Sequence, residues 1–414
     1  MANTTGFGAI KRSLRNYNYR TFVTGSVLSN IGTWVQRVAI GWLAWELTHS
    51  GFWLGVVAFS DLFPIVLLAP FAGALTDRAD QMVMLKIAQS CQMLQATLLA
   101  VFTVTGLITI HILVLFTFLG GVIVSFNQPA RLTVVPLLVD REDLSAAIGL
   151  NSFIFNVARF IGPAIAGIAI AAEGAWLAMA INAATFSWML IALTRIKLAG
   201  TGPVGAPRPL GELPSEIAGG FRYIITHPGI GPLLLLQFVV SMCARPYMEL
   251  FPGFAADVFG RGAQGLAWLT SMTGIGAAIG GFWLAGRGRL SGLTAISVLS
   301  AIVFALSIIG FAATDSYYFA LACTCVAGWA MVAIGVAQQT LIQAAVDASM
   351  RGRVIALYGM VVRGAPAIGA LAMGAASHYV GMQLPVLVGG ALTVLAWLWA
   401  IRRQRTIAAA VETE

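Results

Sequence analysis

Twelve stretches of about twenty predominantly apolar residues follow one another along this chain, and no other feature limits its fold as strongly. They fall near residues 20–47, 51–75, 82–106, 110–137, 147–170, 174–195, 230–257, 264–287, 290–314, 316–346, 353–377 and 380–401. A helix of about 20 residues crosses the ~30 Å hydrocarbon core, and it satisfies its own backbone donors and acceptors without water. Composition points the same way: 59% of the 414 residues are hydrophobic and 10% are charged, against roughly 25% charged in soluble domains. The chain therefore reads as an all-α membrane protein with twelve transmembrane helices.

With both ends inside, the cytoplasmic stretches collect Arg78, Lys86, Arg141, Arg195, Lys197, Arg208, Arg222, Arg287, Arg289, Arg351, Arg353, Arg402, Arg403 and Arg405. The outer loops hold Arg261, so the positive-inside bias predicts a multi-pass protein of a bacterial inner membrane with cytoplasmic termini. The first twenty residues carry Lys11, Arg12, Arg15 and Arg20 without a cleavage pattern and read as a cytoplasmic lead-in. The net charge of +8 is dispersed in small groups, which argues against nucleic acid as a partner. Cys91, Cys243, Cys323 and Cys325 lie inside apolar stretches and read as core packing, with no metal site.

One long polar connection, containing GTGPVGAPRPLGE, interrupts the series, and SEIAGGFRYIITHP after it has the pattern of an amphipathic surface helix. The predicted organisation is a six-helix bundle over 1–195, a cytoplasmic linker with that helix over 196–229, a second six-helix bundle over 230–401 and a cytoplasmic tail over 402–414. The halves echo each other: VDREDLSAAIGLNSFIFNVARFIGPAIAG returns as VDASMRGRVIALYGMVVRGAPAIGALAMG, with Val139 matching Val346 and Pro163 matching Pro366, four residues shorter. Duplicated halves around a midplane site are the architecture of many secondary transporters.

GALTDRAD, from Gly73 to Asp80, resembles the signature between helices two and three of the major facilitator superfamily, although Gln81 and Met82 replace its basic pair. RFIGPAIAG, with Gly162, Pro163 and Gly167, looks like the helix-packing Gly-Pro signature of that superfamily's exporters. GTWVQRVAIGWLAWELTHS, GFRYIITHPGI and LFPGFAADVFGRGAQGLAWLTSMTGIGAAIGG are similar to its enterobactin-exporter and macrolide-efflux branch. The resemblance covers nearly the whole chain and implies the major facilitator fold and export of a small molecule. The fourth-helix Arg motif of many proton-coupled exporters is missing from LGGVIVSFNQP.

Ionised groups in a bilayer are costly and need a polar cavity or a partner. Arg37 and Asp61 both fall about 15 Å below the outer surface and are predicted to pair. Gln237, Ser241, Arg245 and Glu249 recur every four residues along one face, with Pro246 and Pro252 expected to bend that helix. Arg159 and Arg363 fall near the midplane, so four arginines meet two acids, and a shared cavity would favour an anionic substrate. Asp61 and Glu249 are the candidates for proton coupling. Asn30, Thr33, Gln36, Asn127, Gln128, Asn156, Gln338, Gln339 and Gln343 offer further hydrogen bonds, either to substrate or between helices. Most Trp, Phe and Met residues read as lipid-facing or interfacial.

The resembling fold apposes inner loops across the halves. It therefore implies a cytoplasmic gate built from Gly73, Asp77, Arg78, Asp140, Arg287, Arg289, Arg351 and Arg353, with Asp77 near Arg351 or Arg353 and Asp140 or its acidic neighbours near Arg287 or Arg289.

No HExxH, GxxxxGK or GxSxG motif accompanies the scattered His49, His111, His227 and His378, so an enzyme and a cofactor are not expected. Without an ATP site, movement must draw on an ion or substrate gradient, with protons the leading candidate. The expected protein is a monomeric, lipid-embedded secondary transporter exporting an anionic or amphiphilic, siderophore- or drug-like molecule. An importer, a lipid flippase or a non-transporting receptor are the alternatives.

Overall fold

The computed structural model describes residues 6–197, 213–287 and 289–412. Most of the polar linker, including Arg208, lies outside the described residues, as do the side chains of Asp77 and Arg78. A short helix α1 (Gly6–Ser13) is followed by α2 (Tyr17–Thr48), α3 (Gly51–Arg78), α4 (Gln81–Val104), α5 (Ile110–Val134), α6 (Leu144–Glu173) and α7 (Ala175–Arg195). The chain resumes with α8 (Leu213–Thr226), α9 (Ile230–Val258), α10 (Gly262–Ala285), α11 (Leu293–Ala313), α12 (Tyr317–Ala345), α13 (Arg351–Val380) and α14 (Gln383–Val411).

Eleven of these helices, among the described residues, are long and apolar enough to cross a membrane. The twelfth, α2, is 32 residues long but carries Asn30, Gln36 and Arg37 in its middle, which lowers its hydropathy. Twelve spanning helices and the pattern of exposed Leu, Ile, Phe and Trp along them make this an all-α membrane fold. Their outward faces need lipid: only 28% of the most apolar window of the α5 span is buried inside the protein, against 56% for α10, which marks α5 as peripheral and α10 as central.

The contacts divide the chain into two units. One contains 1–47 and 64–208, the other 48–63 and 209–414, so the first half of α3 belongs with the second unit.

In the first unit, Tyr19 and Phe22 of α2, Met82 and Leu85 of α4, Ala130 and Val134 of α5, and Met189 and Leu193 of α7 form one buried cluster. A hydrogen-bonded chain of amides crosses the same helices. Asn182 Nδ2 donates to Gln36 Oε1 at 2.8 Å, Gln36 Nε2 to Gln95 Oε1 at 3.0 Å, and Gln95 Nε2 to the Phe116 carbonyl at 3.1 Å. All three side chains are buried, and an unpaired amide in such a place would cost about 1–3 kcal/mol.

In the second unit, α10 and α12 cross where Gly276 faces the Cys325 carbonyl and Gly328 faces the Thr273 carbonyl, so closely that neither position has room for a β-carbon. Small residues let such helices approach without a hydrophobic driving force. Helix α9 is bent, as Pro246 and Pro252 predict, and in detail it changes type: a π-turn at Val240–Ala244, a 3-10 segment at Arg245–Leu250 and a second π-turn at Phe254–Val258. The irregular segment is held by aromatic packing. Tyr247 lies 5.1 Å from Phe251 and 5.6 Å from Phe311, and Phe254 lies 4.7 Å from Phe311, centroid to centroid.

Several local expectations change. Residues 402–411, read as a tail, continue α14 without a break, because Arg, Gln and Ala are good helix formers. Glu412 then closes the helix end of its neighbour, accepting from the backbone N–H groups of Gly292 and Thr294 at 2.7 Å each. The lead-in contains α1, whose Arg12 Nε donates to Asp143 Oδ1 at 2.8 Å and ties it to the start of α6. Cys323 is buried, but Cys91 is exposed on α4, so core packing does not describe it.

Candidate functional site

Trp34 organises the polar interior of the first unit. It sits on α2 one turn before Arg37, so the two side chains share a face. The Arg37 guanidinium carbon is 5.8 Å from the Trp34 ring centroid, and that of Arg159, from α6, is 5.6 Å from the same centroid. The negative face of an indole attracts such cations, more strongly where water is scarce. Phe155 meets Trp34 edge-on at 6.1 Å. Gly162 makes the arrangement possible: a β-carbon there would fall 2.5 Å from Trp34 Cβ and 3.1 Å from the Ile31 carbonyl, so α6 approaches α2 at that point. Pro163 lies inside α6 as Pro366 lies inside α13, each in a helix of 30 residues. Gly167 is also buried in α6. Asn156 and Asn30 donate to carbonyls of their own helices, Ser152 and Ser26.

Gln36 has a different place from the one expected. It is 7% exposed and both ends of its amide are bonded to Gln95 and Asn182, so it braces helices and does not line a cavity. Asn127 donates to Gln92 Oε1 across α5 and α4, while Gln128 is half-buried. Arg131 is a residue that sequence reasoning missed: its guanidinium lies 5.8 Å from the Phe22 ring, with one buried terminal nitrogen lacking a hydrogen bond among the described residues.

In the second unit the π-turn of α9 precedes Arg245 directly, and Arg245 Nη1 donates to the Val362 carbonyl on α13 at 2.8 Å. The glycines Gly369 of α13 and Gly389 of α14 press against the Met242 and Cys243 carbonyls of that turn, leaving no space for a larger residue. π-turns often mark functional positions, and here the extra residue re-aims the helix face that carries Arg245. Gln237 donates to Ser241 Oγ at 2.8 Å, one turn on, while its own carbonyl oxygen is buried without a hydrogen bond among the described residues. Glu249 and Asp61 are half-buried, and Arg363 is exposed at the protein surface as the structure stands. On α12, Gln338 is fully buried and donates to Ser297 Oγ at 3.0 Å, whereas Gln339 and Gln343 are exposed. The four-residue rhythm of the amides therefore splits between a packing face and an open one.

Among the residues assigned to a gate, Arg287 and Arg353 have neighbours within their own unit, and two acids beside the others, Asp80 and Asp143, are engaged locally. Asp80 caps α4, accepting from Met82 N at 2.8 Å and Val83 N at 3.0 Å. A β-carbon at Gly73 would meet no described atom within 4 Å, so close packing does not explain that glycine. Asp143, an acidic neighbour of the exposed Asp140, is bound by Arg12. Arg287 lies against Gly292 and feels the charge of Glu412. Arg353 packs along Gly219 and Gly220 of α8, and Arg351 and Arg289 are exposed.

A twelve-helix membrane fold that carries arginines within the spans of both units is the build of a membrane transporter. A family model described as transmembrane secretion effector, of the major facilitator type, matches residues 11–412, and the chain belongs to that family. It is a transporter and not an enzyme.

Its relatives include the staphyloferrin A transporter of Staphylococcus aureus, 27% identical over 293 residues that cover 70% of this chain and 72% of the relative. The enterobactin exporter EntS of Escherichia coli is 26% identical, covering 86% and 84%. Macrolide efflux protein A of Streptococcus pyogenes is 23% identical, covering 91% and 93%. Among solved structures, a bacterial homolog of the human lysosomal transporter Spinster, in an inward-facing and unoccupied conformation, matches with a TM-score of 0.73 at 14% identity. It covers 96% of this chain and 99% of that one, and it supports the fold. The branch expected from GFRYIITHPGI and its companions is the one these relatives occupy.

Proposed function

We propose that this protein exports a small anionic or amphiphilic molecule, siderophore- or drug-like, across a bacterial inner membrane by alternating access of its two halves. The observation that carries the reading is the pair Arg37 and Arg159 on the Trp34 indole. Two guanidinium groups beside an aromatic face form a site that attracts a carboxylate or catecholate and stacks its apolar body. The names of the relatives, which include siderophore and drug exporters, favour that chemistry and the outward direction.

Asp61 and Glu249 are proposed to exchange the proton that drives the cycle, Asp61 in partnership with Arg37. A carboxylate near an arginine stays ionised until the pair separates, which ties protonation to the state of the transporter. The gate proposal keeps Asp77 with Arg351 or Arg353, and Asp140 with Arg289. Arg287 is the weaker gate member because Glu412 already faces it. Both termini are placed in the cytoplasm on the distribution of basic residues.

The test is uptake into everted vesicles of a panel of anionic and neutral compounds, with and without an imposed proton gradient. Accumulation of anionic members that collapses with the gradient is the expected result; accumulation indifferent to the gradient removes the proton step.

A further inference from the structure

The second unit contains a cavity of about 720 Å³ apart from the polar constellation around Arg245. Its size is that of a ligand site, for which roughly 300–1,000 Å³ is typical. Its walls are apolar: Phe221 and Ile225 come from α8, Leu235 and Phe238 from α9, and Trp399 from α14. Three polar side chains complete the lining, Arg403, Thr406 and His227. The Arg403 guanidinium carbon sits 4.9 Å from the Trp399 ring centroid, held at the edge of the apolar space.

Helix α8 shows which medium fills that space. Ile217, Phe221 and Ile225 recur every four residues and are 42%, 58% and 64% exposed, while Ile224 is buried and Gly219 and Gly220 lie on Arg353 and Leu357 of α13. A helix docked by one face with an apolar stripe on the other lies in a membrane interface, stripe toward the acyl chains. At the same end of the unit Arg222, Arg402, Arg403 and Arg405 are exposed, the depth and sign of charge that draw anionic headgroups.

We propose that this cavity binds an anionic phospholipid of the surrounding membrane, one acyl chain against Phe221, Ile225, Leu235 and Phe238, and the headgroup phosphate on Arg403. His227 refines the headgroup site. Its Nδ1 accepts the backbone N–H groups of Gly229 and Ile230 at 3.1 Å each, which leaves Nε2 as its donor. Burial lowers the His227 pKa, with Asp347 partly opposing, so the ring contributes a hydrogen bond and Arg403 the charge. The site belongs to the leaflet holding the C-terminal end of α14, which is the cytoplasmic one if the orientation proposed above holds.

The experiment uses the full-length protein in two arms. Native mass spectrometry compares phosphatidylglycerol, phosphatidylethanolamine and glycerol 3-phosphate, and a phosphatidylglycerol with a photoreactive acyl chain is crosslinked and mapped. Expected are phosphatidylglycerol adducts, crosslinks on α8, α9 and α14 peptides, and no retention of glycerol 3-phosphate. Arg403→Gln should weaken phosphatidylglycerol about fivefold, the loss of one interfacial cation, and weaken the zwitterionic phosphatidylethanolamine less, which narrows the preference between them. Leu235→Trp should narrow the cavity where the acyl chain lies and reduce the crosslinks on α9. Crosslinks on other helices of the unmodified protein, an unchanged lipid preference in Arg403→Gln, or displacement of the lipid by a transported compound would each overturn the proposal.

Discussion

In the first unit Arg37 and Arg159 share one indole, and the acids of that unit, Glu46, Asp77, Asp80, Asp140, Glu142, Asp143 and Glu173, all sit at helix ends. In the second unit Arg245 and Arg363 share the spans with two acids, Asp61 and Glu249, and α9 departs from regular α-helix just where Arg245 emerges. The difference suggests a division of labour. Two cations that share one indole are proposed to hold an anion, whereas titratable groups on a bent helix lend themselves to a change of protonation and shape.

The largest effect should follow removal of the first unit's cations. Arg159→Gln or Arg37→Gln should lower transport of an anionic substrate about ten- to a hundredfold, the loss of a charge-assisted contact worth about 1.5–3 kcal/mol. Efflux per amount of membrane-inserted protein measures it, and equal losses for a neutral analogue would erase the contrast between the units.

Glu249→Gln and Asp61→Asn probe the second unit. Each should abolish gradient-driven accumulation while sparing exchange of labelled for unlabelled substrate in the absence of a gradient. A variant that loses both has lost folding or binding, not coupling.

Stability distinguishes the units more finely. Gly162→Val should destabilise by about 1–3 kcal/mol, because the new side chain collides with Trp34 and the Ile31 carbonyl. Thermal unfolding in detergent reads the change, and an unaltered midpoint would mean that α6 moves aside freely. Gln36→Leu and Asn182→Leu should each cost about 1–2 kcal/mol by orphaning a buried amide, while the double variant should cost less than their sum. Strict additivity would break the claim of one network.

The smallest effect concerns Glu412. Burial opposes its charge, but the N–H groups of Gly292 and Thr294, with Arg287 nearby, hold its pKa below the ordinary 4.5. A depressed carboxylate pKa gives stability that is complete above about pH 5 and fades as pH falls through 4.5 and below. The difference in unfolding temperature between the native protein and Glu412→Gln should therefore shrink on acidification. A constant difference from pH 7 to pH 3 would refute the cap.

The spans were legible in the sequence because hydropathy summed over some twenty residues outweighs any single exception, and only α2 strains the pattern. Pro246 and Pro252 announced a bend in α9, but the π-turns depend on how Tyr247, Phe251 and Phe254 meet Phe311 of α11, which no local spacing encodes. Arg37 and Arg159 could be placed at depth from the rise per residue. That both share Trp34 is a contact between helices more than a hundred positions apart, and an indole in a membrane helix reads first as lipid-facing. Gln36 looked like a cavity residue for the same reason: its partners Gln95 and Asn182 lie on α4 and α7, and helical periodicity shows a face without showing its neighbour. Arg131 near the end of α5 drew no reading from the sequence, because its packing on Phe22 of α2 is a contact across more than a hundred positions.

The most direct measurement is a comparison of one carboxylate substrate with its uncharged amide in everted vesicles, using the native protein and Arg159→Gln side by side. Our account predicts that the native protein takes up the carboxylate in strong preference and that the variant loses this preference while still moving the amide. Equal discrimination by both proteins would contradict a transport site built on the arginine pair at Trp34.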